Sequence, residues 1–198
     1  MKANYSKVWA GGKAAHIPTA RRDEMTIALY PGTFDPIHYG HIDIARRAAG
    51  IFDQVVVAVY DRPLKNLLFS TEERLRMVQQ ALQDIPNITT TSYSGLTVEF
   101  ARRIGAKVIV RGLRVTYDFE LEYQMAMTNK KLAPALETVC LMTEQAHAFL
   151  SSSIVKEVAA AGGCVEQMVP PHVRDALVEK LRGLSGKDDL VRMISLRD

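Results

Sequence analysis

From Met25 onward, continuous apolar runs alternate with segments whose apolar positions recur at helical spacing. These are the periods of buried strands and of amphipathic helices. "TIALY" (26–30) predicts a first strand, and a helix follows from about Tyr39 to Gly50. "QVVVAVY" (54–60) is apolar on both alternating sets of positions, as a parallel strand covered on both faces requires. Ser70 and Glu73 form a capping box ahead of a helix with Leu75, Val78 and Leu82 on one face. "NITTTSY" (87–93) is rich in β-branched residues and leads into the helix "TVEFARRIG", which stops at Gly105. "KVIVRG" (107–112) predicts a fourth strand. A long helix comes next, acidic at its start (Asp118, Glu120, Glu122) and basic at its end (Lys130, Lys131), as the helix dipole favours. "ETVCLM" (137–142) supplies a fifth strand, and "SSIVKEVAAAGG" and "PPHVRDALVEKLRGL" two closing helices.

Five alternations of strand and helix, with no repeat and no low-complexity linker, predict one α/β domain. It is a doubly wound, mainly parallel five-stranded sheet with helices on both faces. In such sheets ligands sit beyond the carboxyl ends of the strands, where the strand order reverses. The boundaries follow from composition: residues 1–24 read as a leader before a second start at Met25, disordered or added to the natural chain. Residues 25–184 form the domain, and residues 185–198 a polar tail.

The 198 residues are 47% hydrophobic and 24% charged, the balance of a globular chain that buries a sizeable core. A net charge of +3 does not argue for nucleic acid, yet it permits a local basic site for phosphates. No stretch reaches the roughly 18 to 20 apolar residues of a membrane span. The leader also lacks the apolar centre of a signal peptide. Cys140 and Cys164 form no C-x-x-C pair; Cys140, inside an apolar run, reads as a small core residue in a reduced chain.

Four stretches fall at the predicted carboxyl ends. "YPGTFDPIHYGHIDIARRA" (30–48) places His38, Gly40 and His41 at a helix mouth, where unpaired N–H groups and the dipole favour an anion. Two imidazoles three apart could reach one phosphate, share a metal, or simply cap the helix. No third ligand has metal spacing. In "VIVRGLRVTYDFELE", Arg111 and Arg114 follow a buried strand and offer planar forks suited to phosphate oxygens. Surface pairing with the acidic helix start is the alternative, and the dipole alone accounts for Glu122. "AFLSSSIVKE" offers three serines at another helix N-terminus, for capping or for phosphate. Lys65 is a single cation in the loop after the second strand. No Ser-His-Asp order, Walker loop, G-x-G-x-x-G or zinc pattern is present. Several anion sites without a covalent nucleophile suit phosphoryl or nucleotidyl transfer, in which positioning and electrostatics supply most of the rate.

Together with "STEER" and "FLSSSIVKEVA", these stretches resemble the bacterial phosphopantetheine adenylyltransferases over about residues 25 to 183. The H-x-G-H element alone would mark only the wider nucleotidylyltransferase superfamily. R-G-L-R with D-F-E-x-E and S-S-S-x-V-K-E is far more specific. The resemblance implies a Rossmann-like nucleotidylyltransferase fold and the transfer of AMP from ATP to 4′-phosphopantetheine. The products are dephospho-coenzyme A and pyrophosphate, formed by direct in-line attack without a covalent enzyme intermediate. It implies Mg²⁺ as cofactor without a metal ligand from the chain, and a cytoplasmic homo-oligomer, a hexamer, with no nucleic-acid or membrane partner.

Carried over by motif, His41 would be the catalytic residue, stabilising charge on the α-phosphoryl group. ATP would be held by Thr33, Phe34, His41, Gly112, Leu113, Arg114 and Glu122, and by the run His147, Ala148, Phe149, Leu150, Ser151, Ser152, Ser153. Phosphopantetheine would be held by Thr33, Lys65, Thr97 and Arg111. His38, Thr97 and His147 depart from the residues most frequent at their positions, namely threonine, a larger apolar residue and another aromatic. Two other readings remain open. One is an adenylyltransferase for a different acceptor such as nicotinamide mononucleotide, and the other is a non-catalytic nucleotide-binding module. A second set of anion-binding residues argues against the module.

Overall fold

A computed structural model describes residues 25–63, 66–114 and 116–183. The leader, Lys65 and the tail lie outside the described residues. Five strands, β1 (Ile27–Gly32), β2 (Gln54–Tyr60), β3 (Ile88–Tyr93), β4 (Val108–Leu113) and β5 (Glu137–Met142), form one sheet in the order β3-β2-β1-β4-β5. Every pairing is parallel. The helices are α1 (Tyr39–Ala49), α2 (Thr71–Leu82), α3 (Thr97–Arg103), α4 (Thr116–Leu132), α5 (Ser152–Ala160) and α6 (Pro171–Arg182).

Strand alternation divides the core in two. Ala28, Tyr30, Val55, Val57, Val59 and Val110 face α1, α2, α5 and α6. Leu29, Val56, Ala58 and Ile109 face α3 and the end of α4. Parallel strands covered on both faces need apolar residues at every position, which is why "VVVAV" reads as a continuous run. β2 and β3 lie on one side of β1, β4 and β5 on the other. The crossovers leaving β1 and β4 therefore diverge, and a crevice opens beyond their carboxyl ends.

Two readings of the pattern are corrected. Cys140 is exposed, because β5 is an edge strand whose outward positions face solvent rather than a covering helix. On α2, Val78 and Leu82 are buried as expected but Leu75 only half so, and the charged Arg74 takes the core-facing position instead. Its guanidinium satisfies the Thr33 and Tyr60 carbonyls at the ends of β1 and β2, which offsets the burial of its charge. A short 3₁₀ turn, Gln145–His147, connects β5 to α5.

Candidate active site

β1 ends in a loop that brings its backbone close to its own side chains. A Cβ on Gly32 would stand 2.7 Å from the Phe34 ring, so only glycine lets that ring fold back over the strand end. Phe34 itself has φ +52°, a left-handed conformation uncommon for a bulky residue. Its ring meets Tyr30 and His41 edge-on, with centroids 5.6 and 5.0 Å away. Asp35, 3% exposed, accepts from the N–H groups of Leu68 and Phe69 (both 3.0 Å) and from Lys156 Nζ at 2.9 Å. One carboxylate thus ties this loop to the approach to α2 and to α5.

His38 is the N-cap of α1, and His41 lies in its first turn. Their rings stack at 3.6 Å, and the His38 backbone N–H donates to His41 Nδ1 (3.3 Å). A neutral imidazole whose Nδ1 accepts must carry its proton on Nε2. Burial keeps His41 neutral by holding its pKa well below the ordinary value, with His38, Arg114 and Arg111 adding to the effect. Burial pushes His38 down to about 3, helped by Arg114 and His147. Gly40 packs beside the His38 ring; a Cβ there would meet that ring at 3.1 Å and His147 Cβ at 3.6 Å.

Across the crevice, Arg111 on β4 binds both carboxylate oxygens of Glu122 (2.7 and 2.6 Å) and donates to the Pro31 carbonyl (2.9 Å). Arg114 binds both oxygens of Asp118 (3.0 and 3.1 Å) and donates to the Leu150 carbonyl (2.8 Å). Each guanidinium commits three of its five N–H donors to these bonds. Ser151 caps α5 by accepting from Ile154 N–H (3.1 Å), and Ser152 donates to the Pro36 carbonyl (2.9 Å).

A cavity of about 290 Å³ lies between these elements. Of the residues expected to form a site, Thr33, Phe34, His41, Arg111, Gly112, Arg114, Glu122 and Ser151 to Ser153 line it. A neutral Nε2–H donor, two guanidinium groups and two helix N-termini on one small space make a strong anion site. Among the described residues, no group of three or more His, Cys, Asp or Glu could hold a metal ion.

A family model described as cytidylyltransferase-like matches residues 29–158. A phosphopantetheine adenylyltransferase of Desulforudis audaxviator is 55% identical over 163 residues, 82% of this chain and 99% of the relative. The chain belongs to the phosphopantetheine adenylyltransferases. Phosphopantetheine adenylyltransferases of Caldanaerobacter subterraneus (48% identical, 80% of this chain and 99% of the relative) and Gloeobacter violaceus (53%, 79% and 98%) agree. Among solved structures, the bifunctional NMN adenylyltransferase/ADP ribose pyrophosphatase of Francisella tularensis, complexed with AMP and a manganese ion, matches at TM-score 0.63. Identity is 14% over 85% of this chain, which spans about half (54%) of that protein's length. A protein described as a nicotinate-nucleotide adenylyltransferase of Vibrio parahaemolyticus matches at TM-score 0.57, with 14% identity over 78% of this chain and 99% of that one. At that identity the likeness is one of fold.

Other positions expected from the phosphopantetheine adenylyltransferase resemblance stand outside the cavity lining. Leu113 is the last residue of β4 and accepts from Thr143 N–H at 2.8 Å. His147 stacks on Tyr39, and its buried Nδ1 has no hydrogen-bond partner among the described residues. Ala148 is half-buried, Phe149 is exposed, and Leu150 is buried and reaches Arg114 through its carbonyl. Thr97 begins α3 and shares a hydrogen bond with the Tyr93 hydroxyl (2.9 Å). Sequence reasoning missed Asp35, Arg74, Thr143 and Lys156. Arg74 and Lys156 carried a signal, since each is a charge among the apolar positions of its helix. Thr143 carried none.

Proposed function

We propose that the protein transfers AMP from ATP to 4′-phosphopantetheine, a step of coenzyme A biosynthesis. A phosphate oxygen of the acceptor attacks the α-phosphorus in line, and a new P–O bond forms. The bond from the α-phosphorus to the bridging oxygen breaks, and its electron pair leaves with pyrophosphate. Dephospho-coenzyme A is the other product, and no covalent bond to the enzyme is needed. The observation that carries this reading is His41, a neutral imidazole whose Nε2–H is fixed by the His38 N–H at its other nitrogen. A donor held ready where charge builds on the α-phosphoryl oxygens lowers the barrier without reorganisation.

Thr33, Phe34, Gly112, Leu113, Arg114, Glu122 and the segment from His147 to Ser153 hold ATP. Thr33, Lys65, Thr97 and Arg111 hold the acceptor. Arg111 and Arg114 each keep two N–H donors for phosphate beyond the bonds described. Thr97 is held by its hydrogen bond with the Tyr93 hydroxyl, and the Arg111 charge reaches that hydroxyl, which supports grouping Thr97 with Arg111. A Mg²⁺ ion would be held chiefly by the nucleotide's phosphate oxygens rather than by this chain, and would supply charge neutralisation on the phosphates. Among the described residues, the acidic groups lining the cavity, Asp118 and Glu122, are engaged by arginines, which supports a metal carried by the nucleotide.

Among the described residues no helix is long and apolar enough to cross a membrane. We assign the protein to the cytoplasm, where its substrates are made, and to a homohexamer. Helix α4 exposes Phe119, Leu121, Tyr123, Met125 and Met127, more apolar surface than an isolated helix leaves to water. Purified protein with MgATP and either 4′-phosphopantetheine or nicotinamide mononucleotide tests the reaction. Pyrophosphate release with the first acceptor alone is expected; release with the second alone would overturn the reading.

A further inference from the structure

Arg74 is fully buried, at 0% exposure, and it does not line the cavity. Its guanidinium donates to the carbonyls of Thr33 (2.7 Å), Tyr60 (2.9 Å) and Phe69 (3.3 Å) and to the Thr71 hydroxyl (2.9 Å). Burial works against its charge; Asp35 and Asp61 favour that charge through space. An ion buried on carbonyls is costly to desolvate, and the carbonyls depend on it as their donor. The geometry suggests what the charge does there. The Thr33–Phe34 peptide is trans, so its C=O and N–H point in opposite directions. With the Thr33 oxygen drawn onto Arg74, which does not line the cavity, the Phe34 N–H points away from Arg74, and Thr33 and Phe34 both line the cavity. Phe34 is at φ +52°, a conformation that persists only where its surroundings over-determine it.

We propose that Arg74 is a positioning residue that aims the Phe34 N–H into the cavity as a donor to the nucleotide phosphates. Phe69 locks the arrangement, because its carbonyl accepts from Arg74 while its N–H donates to Asp35, one residue after Phe34. The loops after β1 and β2 are thereby held at one point from behind the site.

This rests on the adenylyl-transfer reading, and the experiment separates the two. Arg74→Lys keeps the charge but loses the planar fork; Arg74→Met keeps much of the volume and loses the charge. Steady-state kinetics, thermal melts and the Phe34 amide resonance in protein labelled at its six phenylalanines are measured, the last with ATP alone. In the wild type, ATP shifts the Phe34 amide. In Arg74→Lys the melting midpoint stays close to wild type, the ATP-induced shift is lost, and kcat falls about tenfold or more, as for other displaced catalytic geometry. Arg74→Met leaves the Thr33, Tyr60 and Phe69 carbonyls without their donor and melts below the wild type, while the kcat of its folded fraction falls at least as far. Wild-type kcat and an intact Phe34 shift in Arg74→Lys would overturn the proposal, whatever becomes of the methionine variant. So would activity that falls only in proportion to folded protein. Absence of acceptor-dependent pyrophosphate release from the wild type would sink the adenylyl-transfer reading instead, and the ATP-induced Phe34 shift would still judge Arg74.

Discussion

His41 gains its expected role from what touches its far nitrogen. With Nδ1 accepting from the backbone, the Nε2–H can serve a developing negative charge without any change of protonation. Replacing His41 with alanine removes one such donor and is expected to lower kcat by about a hundredfold, or about 3 kcal/mol. ATP affinity, by titration calorimetry, should change far less; an equal loss of both would make His41 a ground-state contact. His38 makes a different prediction. Its folded pKa is about 3 against an ordinary 6.5. Below 6.5 the unfolded chain takes up a proton that the folded chain refuses until about 3. The unfolded state then binds more protons, so stability is complete above 6.5 and falls with pH through that window, by up to about 1.4 kcal/mol per pH unit. Urea midpoints measured from about pH 7 down to about pH 5 should show this slope; His41, held neutral by burial in the same way, adds to it, so His38→Asn should make the slope shallower and leave the His41 share. The two histidines were legible in the chain as a pair at a helix mouth. Their stacking and their neutral state were not, because both depend on what closes over them from α5 and β4.

At the scale of elements, the site is made where helix starts meet strand ends. Arg111 lies near the end of β4 and Arg114 directly after it, so their placement at the carboxyl edge needed only the strand's apolar run. Their bidentate pairing with Glu122 and Asp118 on α4 was foreseen only as a competing possibility. Such pairing makes each arginine rigid before a ligand arrives, so a phosphate meets a fork already aimed. Arg111→Ala should weaken 4′-phosphopantetheine binding about tenfold or more and largely spare ATP, and Arg114→Ala the reverse, each having lost a charged donor. Calorimetry of both variants with both ligands decides this; a swapped pattern would exchange the two subsites. Helix α5 shows how one motif divides its labour. Ser151 caps the helix and Ser152 ties it to Pro36, while Lys156 on the same helix binds Asp35.

For the whole molecule, α4 is the element that the single chain leaves incomplete. Its exposed aromatic residues and methionines would be covered by neighbouring copies in a hexamer. Light scattering at micromolar concentration should report a mass well above that of one chain. Met125→Glu combined with Met127→Glu, which places two charges on that face, should lower it. A wild-type monomer would remove the proposal.

The order of elements, the parallel sheet and the position of the crevice follow from local patterns. A strand covered on both faces must be apolar throughout, and a helix must be capped and periodic; both are written within a few neighbouring residues. Resemblance of motifs added the reaction. What remained for the tertiary structure was every contact joining residues far apart in the chain. Arg74 stands out as a charge among apolar positions, but its partners are unknown until the Thr33, Tyr60 and Phe69 carbonyls converge on it. Asp35 reads as a turn residue until Lys156, 121 positions away, reaches it. Cys140 reads as core until its strand proves to be the edge of the sheet. Periodicity records whether a side chain meets water or protein. It carries no information about which protein atoms it meets, and a buried polar group takes its meaning from those partners.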